Sequence, residues 1–163
     1  MESRAKLFGH AIHPVMIVFP LGLLATSVVF DVIYLFRGSS TMATVAFYMI
    51  AAGIVGGFLA SPFGTIDWLA IPAGTRAKRI GLMHGGANIV ALLIFIFSWW
   101  LRRDAPENPE TLAVVSSFAG LGLAFLGGWL GGELVERLGV GVDDGAHLDA
   151  PNSLSGKPAS ANE

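Results

Sequence analysis

The chain is 163 residues long, 53% hydrophobic and only 13% charged, with a formal net charge of −2 and no cysteine. A soluble domain carries about twice that charged share, so the composition points to one lipid-solvated domain. The small net charge gives no footing for nucleic acid. The missing thiols exclude disulfides, cysteine-held iron–sulfur clusters, thioether-attached haem and thiol catalysis by this chain.

Residues 1–8 read as a short amphipathic lead with Arg4 and Lys6. From Ala11 to Phe30 there is no Asp, Glu, Lys or Arg, a run long enough to cross a bilayer. It is too long for a signal-peptide core, contains Pro14 and Pro20, and has no small-residue cleavage site behind it. It therefore predicts a first span over 13–36. Pro14 suits the first helical turn, and Pro20 should kink the helix and free a carbonyl inside a bundle. After a turn at Arg37–Ser40, a second span is expected over 41–60, ended by Ser61-Pro62-Phe63-Gly64. Residues 65–74, with Asp67 and Trp68 between prolines, read as an interfacial loop or short helix. A third span, 79–101, ends in Trp99-Trp100 and Arg102-Arg103, an aromatic belt followed by a charged stop. Two prolines and three acids mark the loop from Asp104 to Glu110, and a fourth span covers 111–132. The polar, Gly- and Ser-rich stretch 139–163 is expected to be a disordered tail.

The expected fold is all-α: a transmembrane domain over 9–138 folded as an up-down-up-down four-helix bundle with both termini on one side. Arg4, Lys6, Arg76, Lys78, Arg79, Arg137 and Lys157 fall on the terminal side, against Arg37, Arg102 and Arg103 opposite. That bias places the termini in the cytoplasm. Small residues recur at four-residue spacing: Gly53 with Gly57, Gly81 with Gly85, Gly127 with Gly131 and Gly128 with Gly132. Lipid offers no hydrophobic gain for helix association, so such residues are the expected packing faces. They would serve ordinary bundle contacts, or make room for a flat cofactor or partner helix.

His13 opens the first span and His84 lies near the start of the third, so both should sit at one end of a bundle whose odd helices run the same way. Two facing imidazoles are what a b-type haem needs as axial ligands. Capping and carbonyl bonding are the plainer roles for the same histidines. His10 would share the face of His13 if the helix already ran through it, and Asn88 follows His84 by one turn. Asp31 is about 27 Å along the helix from His13. It is expected to pair with Arg37, Arg102 or Arg103, or else to carry protons. Asp67 would orient a histidine N–H or pair with Arg76 or Arg79. A faint two-fold pattern is also visible. His13 precedes a hairpin ending F-G-T-I-D and His84 one ending L-G-G-E, which suggests a two-plus-two duplication.

Taken together, H-P-V-M-I-V-F-P-L-G-L from His13, Asp31, G-T-I-D-W from Gly64, His84, and G-W-L-G-G-E…G-V-G-V to Val142 resemble a bacterial family known only as a domain of unknown function. Its members are four-helix integral membrane proteins. The resemblance covers about residues 9–142. It implies a multi-pass protein of the bacterial inner membrane and singles out His13, Asp31, Asp67 and His84. A broader similarity to four-helix b-type cytochromes leads the functional expectations: a redox subunit holding haem b between His13 and His84 and serving quinone or a partner redox protein. The alternatives are a non-catalytic subunit of a larger respiratory or photosynthetic assembly, or a homodimer, packing through glycine faces. A small proton-coupled transporter, broken at Pro20, ranks third.

Overall fold

The computed structural model describes residues 1–162 and is all-α in its body. Four long helices, α1 (Ile12–Arg37), α2 (Ser40–Ala70), α3 (Arg76–Arg102) and α4 (Thr111–Gly132), follow a two-strand hairpin, β1 (Lys6–Leu7) and β2 (His10–Ala11). A π-helical turn, Glu133–Arg137, prolongs α4. Each long helix has the length and apolar composition to cross a membrane. The chain is thus a multi-pass membrane protein.

Local chemistry sets the helix ends. Pro14 sits in the first turn of α1, and Gly38 closes that helix in the left-handed region at φ 64°, its N–H bonded to the Tyr34 carbonyl. α2 continues ten residues beyond the end expected at residue 60. Pro62 cannot donate to the Phe58 carbonyl, but the Ser61 hydroxyl donates to it instead at 3.1 Å. The carbonyl freed by the proline is thereby satisfied and the helix passes through. Thr75 caps α3 by accepting from Lys78 N–H at 3.1 Å.

α1 packs mainly on α2 and α3 mainly on α4. Leu24, Val28, Ile50 and Phe95 form the buried centre where the two pairs meet, flanked by Ile54, Trp99 and Leu121. Large apolar side chains such as Phe19, Phe58, Leu93 and Phe125 face outward, as lipid solvation allows. Glycines decide how closely the helices approach. A Cβ on Gly53 would meet Leu24 at 2.6 Å, one on Gly57 would meet Leu92 at 3.0 Å, and one on Gly81 would meet Trp68 at 2.6 Å. By contrast, Gly85, Gly128 and Gly132 have nothing within 4 Å of that position. At these three positions the structure leaves room for a side chain.

The lead is a docked hairpin. Asp67 accepts from the Ser3 hydroxyl at 2.8 Å and from the Arg4 amide at 2.7 Å. Beyond the π turn, Gly139 and Gly141 take φ of 62° and 85°. There the chain exchanges hydrogen bonds with Met1, through Met1 N to Gly139 O and Gly141 N to Met1 O, both 2.9 Å. Lys6 pairs with Glu2 and Asp143. These two carboxylates hold the Lys6 ammonium above its ordinary pKa, and bonding to Lys6 holds the Glu2 carboxyl below its own. Residues 139–162 contain turns but no helix or strand.

Candidate functional site

Two polar sites lie inside the apolar bundle, one toward each end. At the first, His13 and His84 face each other with ring centroids 6.4 Å apart and planes at 88°. The two rings are anchored alike. His13 Nδ1 lies 3.1 Å from the Ala60 carbonyl on α2, and His84 Nδ1 lies 2.8 Å from the Gly127 carbonyl on α4. A carbonyl only accepts, so in each ring Nδ1 is the donor and carries the proton. Nε2 is then the nitrogen each ring could turn to a ligand, and at His84 it lies within hydrogen-bond distance of the Asn88 amide nitrogen.

Glycines make space for both rings. A Cβ on Gly64 would lie 2.7 Å from His13 Cε1, and one on Gly131 would lie 3.1 Å from His84 Cε1. Each glycine stands four residues after the residue whose carbonyl holds that ring, one helical turn further along. Asn88 Nδ2 donates to the His84 backbone carbonyl at 2.9 Å and lies 3.3 Å from His84 Nε2. Its side chain fills the space over Gly127, where a Cβ would meet Asn88 Oδ1 at 2.5 Å. Both histidines are half-buried. Among the described residues no cluster of three or more His, Asp or Glu side chains is gathered to hold a metal ion, so the protein supplies this site with two imidazoles and no third ligand.

The remaining candidates from the sequence fall elsewhere. His10 lies in β2, before the helix begins, with its Nε2 3.4 Å from Ser153 Oγ. It is exposed and does not share the face of His13. Asp67 contacts neither a histidine nor Arg76 or Arg79; its partners are Ser3, Arg4 and Ala5. Arg76 pairs with Glu133 instead, at 2.5 Å. The apolar, proline-flanked setting of Asp67 gave no hint that Ser3, Arg4 and Ala5, just ahead of β1, would dock on it.

At the second site Asp31 and Arg102 form a bidentate pair, Nη1 to Oδ1 at 2.6 Å and Nη2 to Oδ2 at 2.7 Å. Both side chains are 0% exposed. Arg102 was expected at the interface as part of a charged stop, and Asp31 in an interfacial pair. The pairing of Asp31 with Arg102 is observed, and both side chains are fully buried between the helices. The guanidinium also donates to Ser98 Oγ (3.3 Å), Ser117 Oγ (2.8 Å) and the Ala113 carbonyl (3.3 Å). Ser98 and Ser117 are themselves completely buried and are the residues that sequence reading missed. Their only signal was hydroxyls inside apolar spans, Ser98 one helical turn before Arg102. Buried charges are retained where they are paired and hydrogen-bonded.

The family model described as Predicted membrane protein (DUF2231) matches residues 9–144. No curated protein and no solved structure matches the chain.

Proposed function

The chain belongs to this family of predicted membrane proteins, and from that premise we propose that it is a redox subunit of the bacterial inner membrane that binds one haem b, with His13 and His84 as axial ligands. The observation that carries this reading is the matched anchoring of the two rings. Each Nδ1–H is spent on a backbone carbonyl, so Nε2 is the nitrogen each ring would offer to iron, at His84 in exchange for its contact with the Asn88 amide, and backbone hydrogen bonds hold the rings in place. Two imidazoles that each bind one metal at about 2.0–2.1 Å place their centroids roughly 6–7 Å apart, the range in which 6.4 Å falls. The haem supplies one-electron transfer, with quinol or a partner redox protein as donor. His13 and His84 hold and orient it, and Asn88 beside His84 lends the site a polar contact.

The experiment is a haem determination on protein purified from haem-replete cells. Wild type should carry about one haem per chain, and His84→Ala should lose it while remaining folded. Equal haem content in both would remove His84 from the site.

A second reading is favoured by Gly128 and Gly132, which have open space where a side chain would stand. On that reading the α4 face they occupy is the contact with a larger membrane assembly, and the protein is an accessory subunit. In both readings the termini are cytoplasmic, on the side of the greater number of basic residues.

A further inference from the structure

We infer that α1–α2 and α3–α4 are two copies of one helical hairpin facing each other about a two-fold axis, and that Asp31 and Arg102 make each hairpin select the other instead of its own kind in a second chain. The register carries this. Seventy-one residues separate His13 from His84, Leu24 from Phe95, Ser27 from Ser98 and Asp31 from Arg102. Sixty-seven separate Gly53 from Gly120, Ala46 from Ala113, Ala60 from Gly127 and Gly64 from Gly131.

Several matched residues make matched contacts, although Ser27 bonds within its own helix whereas Ser98 bonds across to α4. Ala60 holds His13 as Gly127 holds His84. A Cβ on Gly53 would strike Leu24 at 2.6 Å, and one on Gly120 would strike Phe95 at 2.9 Å. Ser27 and Ser98 are both fully buried. The four-residue difference between the two shifts is taken up at the turns, because α1 runs on past Asp31 to Arg37 whereas α3 ends at Arg102.

Residues that touch their own equivalents lie on the axis. His13 touches His84 and Asp31 touches Arg102, so the axis runs lengthwise through the bundle, as in parallel membrane repeats. At the histidine end the two halves present the same residue. At the other end they present opposite charges. A hairpin α1–α2 facing a second α1–α2 would bring two carboxylates together in a dry interior, and α3–α4 facing α3–α4 would bring two guanidiniums together. Unlike halves alone satisfy the site.

The repeat also predicts what a reversed pair would meet. Arg102 is cradled by Ser98, Ala113 and Ser117, whose counterparts around position 31 are Ser27, Ala46 and Ile50. Of the two serines, only Ser117 has a counterpart without a hydroxyl, Ile50. The test compares full-length Asp31→Arg, Arg102→Asp, the reciprocal double variant, and the double variant with Ile50→Ser added, each purified in detergent. Each single variant should lose the folded monomer, its folding equilibrium falling by more than about 100-fold. The double variant should recover it, and Ile50→Ser should improve the double variant while weakening the unreversed protein. A double variant as damaged as either single one, or an Ile50→Ser effect of equal sign in both backgrounds, overturns the inference. Recognition is read by co-expressing the two single variants with different tags. Their hairpins are complementary only between chains, so they should co-purify as an exchanged pair, and separate recovery of each would contradict the selection argument.

Discussion

Replacing Arg102 with Met removes the cation from a fully buried carboxylate and leaves the packed volume roughly in place. Asp31 has no hydrogen-bond partner other than Arg102 among the described residues, and it is 0% exposed. Stranding a buried charge in this way costs about 3–5 kcal/mol. The lost bonds to Ser98, Ser117 and the Ala113 carbonyl add no more than ~2 kcal/mol, because a hydrogen bond inside a membrane protein averages roughly 0.6 kcal/mol. The dominant cost is therefore the orphaned carboxylate, and deleting both charges should abolish it. Asp31→Leu/Arg102→Met is expected within about 1–2 kcal/mol of wild type. Unfolding by sodium dodecyl sulfate in mixed micelles, followed by tryptophan fluorescence, measures both. A single variant that costs less than ~1 kcal/mol, or a double variant as unstable as the single one, would refute the reasoning.

Gly64→Ala should cost about 1–3 kcal/mol through overpacking, because its Cβ would lie 2.7 Å from a ring held by the Ala60 carbonyl. Gly85→Ala, with open space around it, should be neutral or slightly stabilising by helix propensity; equal losses in thermal melts of the two would contradict the contact argument. If the α4 glycine face binds a larger assembly, Gly128→Leu should release the protein from it during affinity purification, and undiminished co-purification counts against the accessory-subunit reading. The chain has no cysteine, so single-cysteine variants report sidedness cleanly. Ser155→Cys should resist an impermeant maleimide in intact spheroplasts and Glu107→Cys should react, the opposite pattern reversing the orientation.

The four spans were legible because uncharged runs of membrane length leave few alternatives, and the matching family model covers all four of them. The end of α2 was misread at Pro62. Proline stops a helix in water, but here Ser61 supplies the missing donor, a compensation visible only once the hydroxyl's direction is known. The approach of His13 and His84 was expected from their places near the starts of two spans taken to run the same way, although His84 lies about two turns into α3. Their anchoring carbonyls were not, because a backbone oxygen leaves no trace in residue identity. Arg102 was misplaced for a related reason. Beside Trp99, Trp100 and Arg103 it has the composition of an interfacial stop, and its burial comes from Asp31 on α1 and Ser117 on α4 converging with Ser98 of its own helix. Asp67 and Ser3 meet across 64 residues, a pairing that no local pattern encodes.

The most direct test of the central claim is the reduced-minus-oxidised absorbance spectrum of detergent-purified wild type beside His13→Ala and His84→Ala. The account predicts a Soret band and sharp visible bands on dithionite reduction in wild type, lost or converted to a five-coordinate spectrum in each variant. A flat spectrum from folded, haem-replete wild type, or bands unchanged in both variants, would contradict it.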